Sequence, residues 1–272
     1  MAGAGMNDPQ LPEQYWRTRS ESFDTVAELY DAYRPTYPAE LIDSILCVTK
    51  IPSTGQILEI GSGTGKATQL FAEKGFRVHC IEPGENLLQV ARRKLQNYPQ
   101  VSYAQVRFED WSEDKERFDL IISAQAFHWI DPRVGYQKAA QALKPNGHMA
   151  LFWNMYCGYK GDLEPVIDKI YQERAPVIAQ PAIESEALNR KREAEIQASG
   201  SFSLINVQRF NWFARYDCQE YIGLLNTYSD HISLPEPTRS SLFDGIAEVI
   251  QQNGGAIDKL YQTILFVAQK LA

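Results

Sequence analysis

The chain has 272 residues, a formal net charge of -7 and an apolar share of 44%. This balance excludes an intrinsically disordered chain, a collagen-like fibre and a coiled coil, and the acidic charge disfavours non-specific nucleic-acid binding. The length suits one large domain with an appendage.

The N-terminal segment, residues 15–37, is dense in aromatic residues. Its apolar residues recur at the three- and four-residue steps of a helix. They are Phe23, Val26, Ala27, Tyr30 and Tyr33. Pro35 and Pro38 end this helix, and a second helix is predicted from Ala39 to Val48.

Short apolar strands then alternate with helices as far as Trp153. The strands are predicted at Gln56–Ile60, Arg77–Ile81, Val101–Val106, Phe118–Ser123 and His148–Trp153. Between them, helices are predicted at Lys66–Glu73, at Glu85–Leu95 and after Asp131, which is placed to cap the helix that Pro132 opens. The sequence Leu143-Lys144-Pro145-Asn146-Gly147 predicts a turn before the fifth strand.

After Asn154 the alternation lapses. Helices are predicted over residues 162–197, 217–227 and 237–252, and further strands at Phe202–Trp212 and Tyr261–Ala268. The charged run at 184–195 is interpreted as a solvated helix face. The whole pattern predicts an α/β fold with a doubly wound, mostly parallel, seven-stranded sheet and a helical insert.

The expected organisation has four parts. Residues 1–38 form an aromatic-rich cap, 39–154 the ligand-binding α/β core, 155–200 a helical lid, and 201–272 the strands and helices that complete the sheet and cap. Residues 1–5 are small and featureless and are excluded from this reasoning.

The sequence shows no pattern that is typical of a metal site, a membrane span or a secretory signal. The four cysteines form no CxxC pair and stand at no metal-ligand spacing. They are Cys47, Cys80, Cys157 and Cys218. The apolar runs are too short for a bilayer, and the N-terminus lacks a basic stretch followed by an apolar one. We therefore expect reduced cysteines, no metal and a cytoplasmic location.

The segment Glu59–Gly65 places three glycines between a strand and a helix, where the backbone can turn tightly and approach a ligand. A phosphate-binding P-loop would need a glycine at Ile60 and a hydroxyl residue at Ala67. A dinucleotide fingerprint would need its third glycine at Lys66. Both patterns fail, which disfavours a phosphate or pyrophosphate ligand.

The pattern E-x-G-x-G-x-G resembles the nucleoside-binding motif of class I S-adenosylmethionine-dependent methyltransferases, and the resemblance covers most of the chain. It implies a Rossmann-like fold and S-adenosyl-L-methionine as cofactor. By this resemblance, the loop passes under the methionine and ribose, Glu59 suits an ammonium group, and Glu82, which precedes Pro83, accepts hydrogen bonds from the ribose diol. The loop residues are Gly61, Ser62, Gly63 and Gly65.

The same resemblance places the adenine after the third strand. There Phe108 and Glu109 match the family best by register, and Asp110 is the alternative. The N-terminal pattern, together with Gln125-Ala126-Phe127-His128-Trp129, is similar to a group of small-molecule methyltransferases that includes trans-aconitate-type members. In that group the N-terminal helix folds over the cofactor, which implies that Tyr30 and Arg34 lie near the methionine end.

Methyl transfer needs a base only when the acceptor arrives protonated. His128, at the carboxyl end of a strand, is the single base candidate, and a structural role beside the cofactor is the alternative. The predicted substrate pocket also contains aromatic and polar residues from the strand ends and from the C-terminal part. They are Phe127, Trp129, Trp153, Asn154 and Tyr228, and Gln125 is assigned to the cofactor.

The sequence thus predicts an enzyme, monomeric or homodimeric, that methylates a small-molecule acceptor by in-line displacement and binds neither nucleic acid nor membrane. Two alternatives stay open at this point. One is an RNA or protein methyltransferase on the same fold, and the other is a module that binds the cofactor without turnover.

Overall fold

The structure is a computed structural model that describes residues 23–112, 115–179 and 185–271. The first part of the predicted aromatic cap, up to residue 22, lies outside the described residues, as does the start of the charged run at residue 184.

Seven strands form one sheet in the order β3-β2-β1-β4-β5-β7-β6. Their bounds are β1 Gln56–Ile60, β2 Arg77–Ile81, β3 Val101–Ala104, β4 Phe118–Ala124, β5 Leu143–Tyr159, β6 Phe202–Asp217 and β7 Ala256–Lys270. The pairs β1–β2, β1–β4, β2–β3 and β4–β5 are parallel. The predicted seven-stranded, doubly wound α/β fold is confirmed.

Ten α-helices are described, together with 3₁₀ turns at Asp24–Val26 and Phe127–Trp129. The helices are α1 Ala27–Tyr33, α2 Ala39–Thr49, α3 Lys66–Ala72, α4 Glu85–Lys94, α5 Pro132–Ala142, α6 Glu164–Arg174, α7 Ser185–Ala198, α8 Cys218–Leu225, α9 Ser229–Ile232 and α10 Glu236–Gln252. Asp131 caps α5 as predicted, because its side chain accepts a hydrogen bond from the backbone N–H of Arg133. No helix among the described residues is long and apolar enough to cross a bilayer.

The chain divides into two compact units. The first, here the core unit, comprises Thr36–Asn154, Glu184–Phe210 and Thr263–Ala272, and the second, here the helical unit, comprises Met1–Pro35, Met155–Ile183 and Asn211–Gln262, as far as these segments are described.

In the core unit, the central strands are apolar on both faces because helices cover both sides of a parallel sheet. Ile57, Leu120 and Phe152 are fully buried there, packed with Leu41 of α2 and Phe71 of α3. This packing fixes the carboxyl ends of β1, β2 and β4 along one edge, beside the part of β5 that follows Phe152. Open α/β sheets bind their ligands at this edge.

The helical unit has its own apolar core. Its helices α6, α8 and α10 contribute Ile167, Leu224 and Ile246, each at most 1% exposed. Gly223 of α8 has no side chain because a Cβ there would lie 2.4 Å from the Tyr33 ring of α1. The packing of α1 on α8 therefore depends on a glycine.

The last three strands are longer than predicted. The predicted turn at Leu143–Gly147 is a bulge at the start of β5, where Leu143 pairs with Phe118 but His148 pairs with Leu120. Asn146 takes the left-handed conformation that this bulge requires, with φ of 61°. In β6 the alternation of apolar and polar residues continues to Asp217, five residues beyond the predicted end.

We expect Asp217→Ala to destabilise α8. Asp217 and Glu220 form a capping box, in which each side chain accepts a hydrogen bond from the backbone N–H of the other. Loss of the cap should lower the free energy of unfolding by about 1 kcal/mol in urea titrations. Asp217→Asn keeps a capping oxygen and should lose much less, so equal losses in the two variants would contradict the capping explanation.

Candidate active site

The glycine loop between β1 and α3 turns through three left-handed residues. Gly61, Gly63 and Gly65 have φ of 69°, 54° and 75°. A Cβ on Gly61 would lie 2.4 Å from the Ala126 Cβ, and one on Gly65 would lie 2.8 Å from a Leu95 methyl group. A Cβ on Gly63 would meet no atom of the described residues within 4 Å. Two glycines therefore serve packing, and the middle one borders open space.

Glu82, at the end of β2, ties this loop to the next one. One carboxylate oxygen accepts from the Gly63 N–H at 2.9 Å, and the other accepts from the Gly84 N–H at 2.9 Å. Glu82 is 7% exposed, and Pro83 beside it is exposed. Glu82 therefore holds its carboxylate against the backbone of both loops.

Glu59 lies beneath the loop instead of at its surface. It is 1% exposed and accepts a hydrogen bond from the Thr68 hydroxyl. Burial and, to a smaller extent, the charge of Glu82 raise the pKa of Glu59 to about 8. Glu59 is therefore predominantly protonated at neutral pH in this structure. Its hydrogen bond with Thr68 joins β1 to the first turn of α3.

The loop fits a nucleoside ligand without phosphate. The space beside Gly63 is open, the Glu82 carboxylate reaches the same backbone, and the buried hydroxyl of Thr64 has no hydrogen-bond partner among the described residues. Ser62 is also buried, and its N–H donates to the Ile81 carbonyl oxygen. A polar ligand would supply the missing partner to Thr64.

The segment after β3 combines an aromatic wall with acidic groups. Phe108 is 3% exposed and stacks on Trp111, with ring centroids 6.0 Å apart. Glu109 pairs with Arg107 at 3.4 Å, and its carbonyl oxygen accepts from Lys138 at 2.6 Å. Asp110, next in the chain, is exposed.

Two polar residues link the end of β4 to the middle of β5. Gln125, in the left-handed conformation with φ of 62°, donates from its side-chain amide to the Asn154 carbonyl oxygen. The Asn154 side chain accepts from Thr263 and donates to the Thr36 carbonyl oxygen. The Asn154 amide thus already has partners within the core unit.

The 3₁₀ turn after β4 carries His128 between two aromatic residues. The Trp153 indole N–H donates to His128 Nδ1 at 3.1 Å, and the Trp129 ring centroid lies 4.6 Å from that of His128. Phe127 is buried against Tyr136. Burial, with the nearby positive charge of Arg192, lowers the pKa of His128 to about 3. His128 is therefore neutral at physiological pH.

The helical unit brings together the three site residues predicted outside the core unit. Arg34 donates to the hydroxyl and the carbonyl oxygen of Thr227, at 2.7 and 2.8 Å. Its guanidinium lies 4.3 Å from the Tyr228 ring centroid and 5.3 Å from that of Tyr30. Tyr30, Arg34 and Tyr228 thus form one cation–π cluster.

Two buried cations were not predicted. Lys259 is 1% exposed, donates to the Tyr221 hydroxyl at 3.4 Å, and has its Nζ 4.4 Å from the Tyr156 ring centroid and 5.5 Å from that of Tyr228. No sequence signal marks it, because its β7 neighbours alternate as in any half-buried strand.

The second is Arg192 of α7, which is 5% exposed and lies 3.9 Å from the Trp153 ring centroid. The interpretation of the charged run as a solvated face is wrong at this position. Leu188, Arg192 and Ile196 are all buried, and their four-residue spacing was the available signal.

Comparison with known proteins identifies the domain. Residues 57–147 match a methyltransferase domain family. An uncharacterised methyltransferase-like protein of Schizosaccharomyces pombe is 28% identical over 258 residues, 92% of this chain and 96% of that one.

This chain carries a methyltransferase domain and is similar over most of its length to uncharacterised methyltransferases.

Other relatives agree in part. A probable S-adenosylmethionine-dependent methyltransferase of Saccharomyces cerevisiae is 30% identical over 128 residues, 46% of this chain and 43% of the Saccharomyces cerevisiae protein. A candidate type II methyltransferase of Anaeromyxobacter dehalogenans shares the fold with a TM-score of 0.64 at 22% identity, covering 88% of this chain and 97% of its own.

We expect Gly61→Ala to cost much more stability than Gly63→Ala. Both substitutions force alanine into a positive φ, which costs about 1–2 kcal/mol, but only the Gly61 variant adds a clash with Ala126 of about 1–3 kcal/mol. Thermal unfolding of the two variants measures the difference. Equal losses would contradict the close approach at Gly61.

Glu59→Gln should change how stability depends on pH. The folded carboxyl titrates near pH 8, whereas the ordinary value is 4.5, so between these values the folded state retains a proton that the unfolded state has released. Stability of the wild type therefore falls as pH rises through this window. Gln mimics the protonated form and should remove at least about 1 kcal/mol of the decline between pH 5 and pH 8 in urea titrations.

Glu85→Gln, at an exposed position of α4, provides the control for Glu59→Gln. It should leave the slope between pH 5 and pH 8 as in the wild type. Parallel stability profiles of Glu59→Gln and the wild type would show that Glu59 is ionised in the folded protein.

Proposed function

We propose that this methyltransferase binds S-adenosyl-L-methionine at the glycine loop and transfers its methyl group to a small-molecule acceptor. The observation that carries the proposal is the open space beside Gly63, bordered by the anchored carboxylate of Glu82. The name of the Saccharomyces cerevisiae relative, a probable S-adenosylmethionine-dependent methyltransferase, supports the choice of cofactor.

The residues divide the work of binding as the family resemblance implies. The Glu82 carboxylate, which the Gly63 and Gly84 N–H groups hold at the loop, accepts hydrogen bonds from the ribose hydroxyls. Phe108 and Glu109, with Asp110 beside them, hold the adenine. The cofactor supplies an activated methyl group on a good leaving group, so the task of this chain is to position and orient the acceptor.

A small acceptor is favoured over RNA by the charge of the chain. The net charge is -7, whereas a phosphate-binding surface needs an excess of exposed Lys and Arg. Arg192 and Lys259 are at most 5% exposed and cannot contribute to such a surface. The trans-aconitate-type group is our proposal for the subfamily, and its basis is the Gln125–Trp129 pattern and the N-terminal helix.

Calorimetry tests cofactor binding. Glu82→Ala should weaken the binding of S-adenosylmethionine and of its demethylated product by about 1.5–3 kcal/mol. The ribose hydroxyls lose a charged acceptor, and the glycine loop loses the carboxylate that holds the Gly63 N–H. Glu85→Ala removes the same charge three residues away, from an exposed position, and should bind like the wild type. Binding of NAD in place of S-adenosylmethionine would overturn the proposal.

A panel of small-molecule acceptors, assayed with methyl-labelled cofactor, tests transfer. Labelled product supports the proposal, and cofactor binding without any transfer across the panel favours a binding module. Titration of bulk tRNA at two salt concentrations completes the test, since salt-sensitive binding with methylation of the tRNA would favour an RNA methyltransferase.

A further inference from the structure

The hydrogen bond between Trp153 and His128 determines which nitrogen of the histidine carries the proton. Nε1 of Trp153 lies 3.1 Å from His128 Nδ1. An indole N–H can only donate, so Nδ1 must present its lone pair. A neutral imidazole has one ring proton, which therefore resides on Nε2.

The surroundings hold this arrangement in place. Trp153 is 2% exposed, its ring meets Phe266 edge-on at 6.0 Å, and the Arg192 guanidinium lies 3.9 Å from its centroid. The indole therefore cannot turn away from His128 without disrupting the packing of β7 and α7.

A second proton on the histidine is disfavoured. It would place an N–H of the ring against the N–H of Trp153, in a site where Arg192 already brings a positive charge. Arg192 is the charged group acting on His128, and although burial lowers its pKa to about 10, it stays protonated at neutral pH.

The remaining edge of the ring is available. His128 is partly exposed, and its Nε2 has no hydrogen-bond partner among the described residues. For His128 to act as a base through Nε2, that atom would need the lone pair that the indole draws to Nδ1. The geometry therefore makes Nε2 a hydrogen-bond donor that has no lone pair with which to accept a proton.

We propose that His128 contacts the methyl acceptor as a hydrogen-bond donor through Nε2–H, and that Trp153 is the positioning residue that fixes this tautomer. The proposal rests on the proposed function, since it requires an acceptor that binds beside the turn after β4. His128 orients an oxygen of the acceptor and does not abstract its proton.

The transfer step then balances without a base. The carbon–sulfur bond of the methyl donor breaks and its electron pair stays on sulfur, while a lone pair of the acceptor forms the new bond to the methyl carbon. No proton is released from the acceptor, so its nucleophilic atom must be unprotonated at neutral pH. Substrates of this class need orientation rather than deprotonation.

Nuclear magnetic resonance of protein labelled with ¹⁵N-histidine reads the tautomer directly. The chain has four histidines, so the spectrum of His128→Asn assigns the signal. We expect the proton on Nε2 of His128 from pH 5 to pH 8, and loss of this preference in Trp153→Phe, which has no N–H to donate. A proton on Nδ1, or titration near pH 6.5 in the wild type, would overturn the proposal.

Kinetics separate a donor from a base and from a structural residue. With an acceptor found in the panel, His128→Asn keeps an N–H donor and should reduce kcat/KM by about threefold, whereas His128→Ala should reduce it by at least about tenfold. The wild-type kcat/KM should be flat between pH 5.5 and pH 8.5. If both variants lose kcat/KM to the same large extent and the wild-type kcat/KM falls toward acidic pH, His128 acts as a base. If both variants keep the wild-type kcat/KM, the role of His128 is structural.

Two controls keep the outcomes apart. Cofactor affinity and thermal midpoint of each variant show whether it is folded. Absence of cofactor binding or of transfer in the wild type would refute the proposed function and leave the tautomer measurement intact. A wild-type enzyme that transfers methyl groups but carries its His128 proton on Nδ1 would refute only the inference.

Discussion

The glycine loop can exist only because no side chain stands at Gly61. The backbone there runs so close to Ala126 that a Cβ would lie 2.4 Å from the Ala126 Cβ, and this approach joins the end of β1 to the turn after β4. Glu82 then joins the same loop to the end of β2 through the Gly63 N–H. Three loops from three strands thus share one edge of the sheet, and every proposed role of the core unit depends on that contact.

Two titratable groups at this edge, Glu59 and His128, are held in their neutral forms. Burial raises the pKa of Glu59 to about 8 and lowers that of His128 to about 3. Both shifts have the same physical origin, because the packed interior disfavours whichever form is charged. Glu82 differs, since two backbone N–H groups stabilise its carboxylate, and it is the group placed to meet polar hydroxyls. This edge of the sheet therefore combines one carboxylate acceptor, Glu82, with two neutral groups and with aromatic side chains.

The first half of the fold was predictable because its signals are local. Strands such as β1 and β2 are short runs with a glycine or proline within two residues of their end, and Asp131 with Pro132 marks the start of α5 without reference to any partner. The helical stripe at α1 was likewise visible in the spacing of Phe23 and Tyr30.

The remainder depends on partners distant in sequence. No sequence pattern near Lys259 predicts its contacts with Tyr156 and Tyr221. The burial of Arg192 likewise depends on its contact with Trp153, which is distant in sequence. The family motif found the loop residues but could not show that Glu59 is buried against Thr68, nor that His128 Nδ1 is occupied by an indole. Motifs identify residue types, whereas protonation and tautomer are set by tertiary contacts.

The strand order carries a consequence for biosynthesis. In the sheet, β7 lies between β5 and β6, although it follows both of them in the chain. Until residue 270 has emerged, β5 has an unpaired edge and β6 has no neighbour on the side toward the sheet. Such edges template wrong pairing, so the nascent chain needs shielding until β7 has emerged. Truncation of β7 would therefore remove the strand that joins β6 to β5, and not an edge strand of the sheet.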